Sequence, residues 1–246
     1  MTTTGPANPL TLSVVIPTYN ERDNISALVH RILAANQATS IEVIVVDDGS
    51  PDRTADVVRG IVASDPRVRV IERGGKAGLS SAVFVGAQAS AGAYVCVMDA
   101  DLSHDPDEIP QMLEVARQGC QVVVGSRYAP GATFVGQPMV RRFISLALNL
   151  TARALFLLPT RDVLTGYALL ERDVLLSTPT RYSHAGFKWL LEVLATHRGL
   201  KVCEWPIVFR DRKAGSSKAT AKEAAVFAVL CVRLLGWRAR RLLRLA

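Results

Sequence analysis

Four short polar clusters carry the residue types that chemistry needs. They are Pro17-Thr18-Tyr19-Asn20-Glu21, Asp47-Asp48-Gly49-Ser50, Asp99-Ala100-Asp101 and Gly125-Ser126-Arg127, and each follows a β-branched apolar run. Asp99 and Asp101 flank Ala100, so in extended geometry both carboxylates point to one side. Two carboxylates so placed suit a hard divalent ion, Mg2+ or Mn2+, that also touches a diphosphate. The ion would neutralise charge on a departing diphosphate and so lower the barrier to bond breaking. Ser103, His104 and Asp105 follow closely enough to complete its shell. A lone acidic pair after a strand more often caps a helix, and Asp101 or Ser103 is placed to cap one near Pro106 to Ala116. Four polar clusters at strand ends favour a ligand site instead. Arg127, after a strand and a glycine, suits a fixed guanidinium aimed at phosphate oxygens.

The elements that must hold these clusters alternate. Leu12–Ile16, Glu42–Val46, Val68–Ile71, Tyr94–Met98 and Gln121–Val124 predict strands, and Pro206–Phe209 a further one. Asn24–Ala35 and Thr54–Ser64 predict helices, the second capped by Asp52 or Thr54. Near-continuous apolar strands between helices indicate an α/β, doubly wound, mostly parallel sheet covered on both faces. In such sheets ligands bind outside the carboxyl ends of the strands, where all four clusters fall. Ala129–Pro138 reads as a mobile loop, Val140–Leu157 and Phe187–Thr196 as helices, and the chain closes with a helix from about Lys222.

Composition narrows the class. Of 246 residues 49% are hydrophobic, enough for a packed core. The net charge of +7 is concentrated: residues 201–246 hold eleven of the 29 Lys and Arg but three of the 22 Asp and Glu. That argues against a nucleic-acid surface and for a specialised basic C-terminal end. Cys96, Cys120, Cys203 and Cys231 match no metal-ligand spacing and read as reduced core thiols. The first nine residues lack the basic start and apolar stretch of a signal peptide, so the catalytic part is expected in the cytosol.

PTYNE at 17–21, DDGSPD at 47–52, GKAGL at 75–79, MDADLSHDP at 98–106 and GSRY at 125–128 resemble the inverting family 2 glycosyltransferases of the GT-A fold, in their polyprenyl-phosphate mannose synthase branch. TGY at 165–167, GFKWLLE at 186–192 and WPIVFRDRKAGSSK at 205–218 extend the resemblance, in order, over nearly the whole chain. The resemblance implies that Pro17, Tyr19, Glu21, Asp48, Lys76, Asp99, Ala100 and Asp101 bind the nucleotide sugar. It implies a metal at Asp99, Asp101 and Ser103, with Asp101 and Arg127 at the catalytic centre. Arg127, Arg141 and Ser145 would take the acceptor phosphate, beside Arg142, and Arg212, Ser217 and Lys218 would form a basic loop closing over the phosphates. Three positions depart from the pattern: Ser103 for an amide, Ser80 for a glycine and Ala168 for a basic residue.

The implied reaction moves a hexose, with mannose from GDP-mannose favoured, to a polyprenyl monophosphate with inversion. An acceptor phosphate is already anionic at pH 7, its second pKa being about 6, so no general base is required. A sugar-hydroxyl acceptor would need one, from Asp99, Asp101 or Asp162. Another donor such as UDP-glucose or UDP-GlcNAc, and an inactive nucleotide-sugar-binding module, are the rival readings. The chain divides into a catalytic domain, 1–221, and a basic amphipathic helix, 222–246. That helix is too short in apolar residues to span a bilayer, and Arg233, Arg240 and Arg244 share one face. It is read as a membrane-surface contact on the cytoplasmic side, with room for a membrane-protein partner.

Overall fold

The computed structural model describes residues 10–179, 188–211 and 221–243. The first half alternates β1 (Leu12–Thr18), α1 (Arg22–Ala35), β2 (Ile41–Asp47), α2 (Thr54–Val62), β3 (Val68–Glu72), α3 (Leu79–Ala89) and β4 (Tyr94–Val97). A 3-10 turn (Pro106–Glu108) leads to α4 (Ile109–Arg117), β5 (Val122–Ser126), β6 (Thr133–Val135) and α5 (Met139–Phe156). The chain then forms β7 (Ala168–Glu171), α6 (Arg172–Leu176), α7 (Trp189–Thr196), β8 (Val202–Pro206), β9 (Val208–Arg210) and α8 (Ala221–Leu243).

Seven strands make one sheet in the order β3-β2-β1-β4-β7-β5-β8. Only β7 runs antiparallel to its neighbours. The period of two divides each strand between two cores. Val15, Ile44 and Val46 face one core with α3, α7 and α8, whereas Val14, Ile16, Val43 and Val45 face the other with α1, α2 and α4. Close packing of α3 needs Gly86, where a Cβ would run into the Val15 side chain. After β1 the chain winds outward through β2 and β3, then returns to place β4 on the other side of β1. That reversal makes the carboxyl ends of β1 and β4 a topological switch point, the position at which such sheets take ligands.

Several expectations are corrected by contacts distant in sequence. The stretch expected to be a mobile loop contains β6, which pairs in parallel with β9, Phe134 opposite Phe209. The strand expected at Pro206–Phe209 is two strands: β8 ends at Pro206 beside β5, and after Ile207 the chain turns to join β6. Cys120 and Cys203, expected to be reduced, are joined by a disulfide. The pairing of β5 with β8 sets their Cα atoms 6.0 Å apart, whereas Cys96 and Cys231 are free and buried.

The C-terminal helix is built into the domain. Phe227, Leu230, Cys231 and Leu234 are buried in the same core as α7. Arg238 donates to the carbonyls of Ala195 and Phe156, both at 2.8 Å, and Arg241 to that of Thr196 at 3.2 Å. These guanidiniums satisfy carbonyls at the C-terminal ends of α5 and α7, where positive charge is favoured. Among the described residues no helix is long and apolar enough to cross a membrane.

Candidate active site at the strand ends

The loops after β1 and β2 are sewn together by short polar side chains. Thr18 donates to the Asp47 carboxylate at 2.8 Å, as do the Ser50 amide and hydroxyl at 2.8 and 2.6 Å. The Asn20 amide donates to Ser50, and the Glu21 amide to Thr54, both at 3.0 Å. The N-cap position of α2 falls to Arg53, with a φ of 66° and no side-chain cap bond, rather than to the expected Asp52 or Thr54; Asp52, one residue earlier, accepts from the Thr54 amide at 3.0 Å. Asp48 is turned inward: it pairs with Arg73 and accepts from the Ala77 and Gly78 amides at 3.2 and 3.0 Å. Asp48 thereby ties the end of β2 to the 74–78 loop. That loop holds Lys76, whose Nζ lies 4.0 Å from the centre of the exposed Tyr19 ring. Pro17 is half-buried, and Glu21 accepts from Asn24 at 2.9 Å at the start of α1. An exposed ring beside an ammonium suits a base and a phosphate.

Asp99, Ala100 and Asp101 emerge just past β4. A Cβ on Gly166 would sit 2.6 Å from an Asp99 carboxylate oxygen, so only glycine lets that backbone lie against Asp99. Asp101 accepts from the Ser103 amide at 3.0 Å across Leu102, whose φ of 61° is unusual for a leucine. Ala100 and Ser103 are buried, and the Ser103 carbonyl accepts from the Arg210 amide at 3.2 Å. His104 is buried and stacked on Tyr167 at 4.9 Å. Burial lowers its pKa against the opposing pull of Asp99 and Asp101, which leaves the imidazole neutral at pH 7.

Asp105 does not join the acidic pair. It caps the 3-10 turn by accepting from the Asp107 amide at 3.2 Å, and it pairs with Arg31 and Arg210 at 2.7 and 3.0 Å. The cap expected from Asp101 or Ser103 is thus supplied by Asp105. Among the described residues no three His, Cys, Asp or Glu side chains gather as a metal-holding group. Two carboxylates completed by diphosphate oxygens are nonetheless an all-oxygen set of the kind that Mg2+ and Mn2+ accept.

A separate pocket of about 190 Å³ is lined by Arg127, Gln137, Arg141, Ile144, Ser145, Leu148, Leu164 and Lys188. The three residues expected at an acceptor phosphate, Arg127, Arg141 and Ser145, are therefore brought together. Arg127 is anchored from behind: its Nε and Nη2 donate to the two oxygens of Asp162 at 2.8 Å, and its amide donates to the same carboxylate at 3.0 Å. Burial works against the guanidinium's charge, but the Asp162 carboxylate outweighs it and holds the pKa above its ordinary value. Asp162 is fully buried and engaged on both oxygens, so it is withdrawn as a candidate base. Arg141 reaches Asp211 at 3.5 Å, so its charge is only partly committed.

Gln137 and Lys188 escaped the sequence reading. Lys188 lay within the GFKWLLE motif and Gln137 in the supposed loop, but neither position gave a sign that it faced Arg127. The Gln137 oxygen is buried without a hydrogen-bond partner among the described residues, as expected of a group facing a ligand pocket. Arg212, Ser217 and Lys218 lie outside the described residues.

Residues 13–177 match the family model described as Glycosyl transferase family 2. The chain is 36% identical over 228 residues to a dolichol-phosphate mannosyltransferase of Pyrococcus furiosus, covering 92% of this chain and 64% of that protein. It thus spans just under two thirds of that relative's length. To a polyprenol monophosphomannose synthase of Mycolicibacterium smegmatis it is 36% identical over 212 residues, 83% of this chain and 79% of that one. Among solved structures it superposes on a mannosyltransferase from Pyrobaculum calidifontis in complex with GDP-Man and Mn2+, with a TM-score of 0.61 and 20% identity. That match covers 95% of this chain and 65% of the other and bears on the fold alone.

Proposed function

Given that the chain belongs to glycosyltransferase family 2, we propose that it transfers mannose from GDP-mannose to a polyprenyl monophosphate with inversion. The observation that carries this reading is the pairing of two sites at one sheet edge. One is an acidic strand end beside an exposed aromatic ring, and the other is a pocket walled by cations and apolar side chains. A lipid phosphate has both an anion for Arg127, Arg141, Ser145 and Lys188 and a first isoprene for Ile144, Leu148 and Leu164.

In this reading Asp99 and Asp101 hold the divalent ion, Mg2+ or Mn2+, with Ser103 at its margin. When bound, that ion neutralises charge on the leaving diphosphate. Tyr19 and Pro17 offer their faces to the nucleoside, and Asp48 and Arg73 set the loop that brings Lys76 to it. Glu21 and Ala100 shape the crevice walls. Arg127, rigid on Asp162, fixes the acceptor oxygen in line with the anomeric carbon, so the rate comes from positioning. The withdrawal of Asp162 as a base agrees with an acceptor that needs none. Such an enzyme works peripherally, at the cytoplasmic surface of a membrane, and the basic end around α8, alone or with a membrane-protein partner, is one contact for it.

The test is to incubate purified protein with a panel of nucleotide sugars, short polyprenyl phosphates and Mg2+ or Mn2+, and to identify the lipid products by mass spectrometry. A mannosyl phospholipid formed from GDP-mannose is the expected product. A glucosyl or N-acetylglucosaminyl product would move the donor assignment, and no product with any donor would favour a binding module.

A further inference from the structure

Strand β9 is three residues long, yet it joins the two sites. Along one edge it holds the turn that carries the acidic pair: the Val208 amide donates to the Glu108 carboxylate at 3.3 Å and the Arg210 amide to the Ser103 carbonyl at 3.2 Å. The Arg210 guanidinium adds its bond to Asp105 at 3.0 Å. Along the other edge β9 pairs with β6, the strand that leads into α5 and the acceptor pocket. The Asp211 amide continues that edge by donating to the Val135 carbonyl at 2.9 Å, and its carboxylate meets Arg141. Phe209 stands at the centre of the strand. Its ring centre lies 5.8 Å from that of His104, 6.2 Å from that of Phe134 and 5.3 Å from the Arg127 guanidinium. These are the spacings of packed aromatic pairs and of cation–π contacts. Phe134 passes the contact on, 5.7 Å from the Tyr128 ring and 4.3 Å from the Arg142 guanidinium.

We propose that Phe209 is a positioning residue for transfer: its ring is the spacer that fixes the acidic turn and Arg127 at their working separation, so that binding on the donor side is felt in the acceptor pocket. The proposal rests on the reading of the two sites as donor and acceptor. Two observations set this role apart from core packing. The first is that both neighbours of the ring are held from behind. His104 is stacked on the fully buried Tyr167, whose hydroxyl donates to the Asp105 carbonyl at 3.0 Å, and Arg127 is clamped on Asp162. A ring wedged between two fixed groups sets the distance between them. The second is place. Phe209 is half-buried at the open end of the sheet rather than sealed within it, yet it touches a residue of each site. In-line attack needs the anomeric carbon, held through the diphosphate, and the acceptor oxygen, held by Arg127, at one separation. A misplacement of about 1 Å costs on the order of a hundredfold in rate.

The test compares the full chain with Phe209→Ala, with Phe209→Leu as a milder change, and with Val208→Ala as the control, since neighbouring side chains of a strand point to opposite faces. Circular dichroism and melting of each variant establish that it is folded at the assay temperature. With GDP-mannose, a short polyprenyl phosphate and Mn2+, Phe209→Ala should lower kcat by about a hundredfold while both KM values stay within about threefold of wild type. Phe209→Leu should fall between, and Val208→Ala should keep the wild-type kcat. Hydrogen exchange supplies a readout without turnover. GDP with Mn2+, and UDP with Mn2+ in parallel, should slow exchange of the amides at 126–128 and in the first turns of α5 in the wild type and in Val208→Ala, and Phe209→Ala should lose that protection. A wild-type kcat in Phe209→Ala, or a loss confined to one KM, would overturn the proposal. So would protection that survives the substitution or is absent from the wild type. Failure of the wild type to transfer to any polyprenyl phosphate would strike the lipid-phosphate reading instead, and the exchange comparison would still decide on Phe209.

Discussion

Asp101 and Asp162 are both carboxylates at the sheet edge, yet their surroundings give them opposite work. Asp101 is half-buried in the turn just past β4, next to Leu102 with its φ of 61°. Asp101→Ala is expected to abolish sugar transfer while leaving the circular dichroism and the unfolding midpoint close to wild type. Near-normal turnover with metal present would end its assignment as a ligand. Asp162 is sealed in and grips Arg127. Asp162→Asn leaves a buried guanidinium half-partnered, which is expected to cost about 3 kcal/mol or more in denaturant unfolding. It should also raise KM for the acceptor well above any change in KM for the donor. An acceptor KM that stays at the wild-type value would show that Arg127 does not touch that substrate.

At the scale of elements, α7 is the anomaly, a helix buried on every side that nevertheless carries a carboxyl group. Both oxygens of Glu192 lack a hydrogen-bond partner among the described residues, and burial pushes its pKa from 4.5 up to about 7. The folded state therefore holds a proton that the unfolded chain releases near pH 4.5. Stability falls as pH rises from about 4.5 to about 7 and levels off above, by on the order of 3 kcal/mol from this group. Glu108, also raised to about 7 by burial, adds in the same direction. Glu192→Gln should flatten the thermal-melting profile across that window and melt higher than wild type at pH 8. A variant with the wild-type slope would assign the dependence elsewhere. Elements of this kind separate what is legible from what is not. β1, β2 and β4 announce themselves because both their faces are buried. β6 and β9 do not, because each is three residues long and, among the described residues, pairs with a strand more than seventy positions away.

The molecule as a whole is closed late in the chain. β8 completes the sheet edge, β9 carries the chain back to β6, and α8 fills the core that α3, α5 and α7 leave open. The disulfide between Cys120 and Cys203 spans 83 residues that include β5, α5 and α7. Closing a loop of that length limits the unfolded chain by about 4 kcal/mol in the entropic account. Dithiothreitol should therefore lower the melting temperature by several degrees, and Cys120→Ser should do the same without reductant. An unchanged melting temperature in both would show that the two thiols are not linked in solution.

By itself the sequence determined the α/β alternation, the four polar clusters at strand ends and the family, because each is written in local spacing and residue type. Asp99 and Asp101 were legible for that reason, as were Tyr19 and Arg127. Only the tertiary structure decided what those residues face. It turned Asp48 inward, removed Asp105 from the acidic pair, matched Arg127 with Asp162, and set Gln137 and Lys188 in one pocket. Partners tens of residues apart are chosen by packing and register, and no local pattern encodes which of two like groups will be buried, paired or left to meet a ligand.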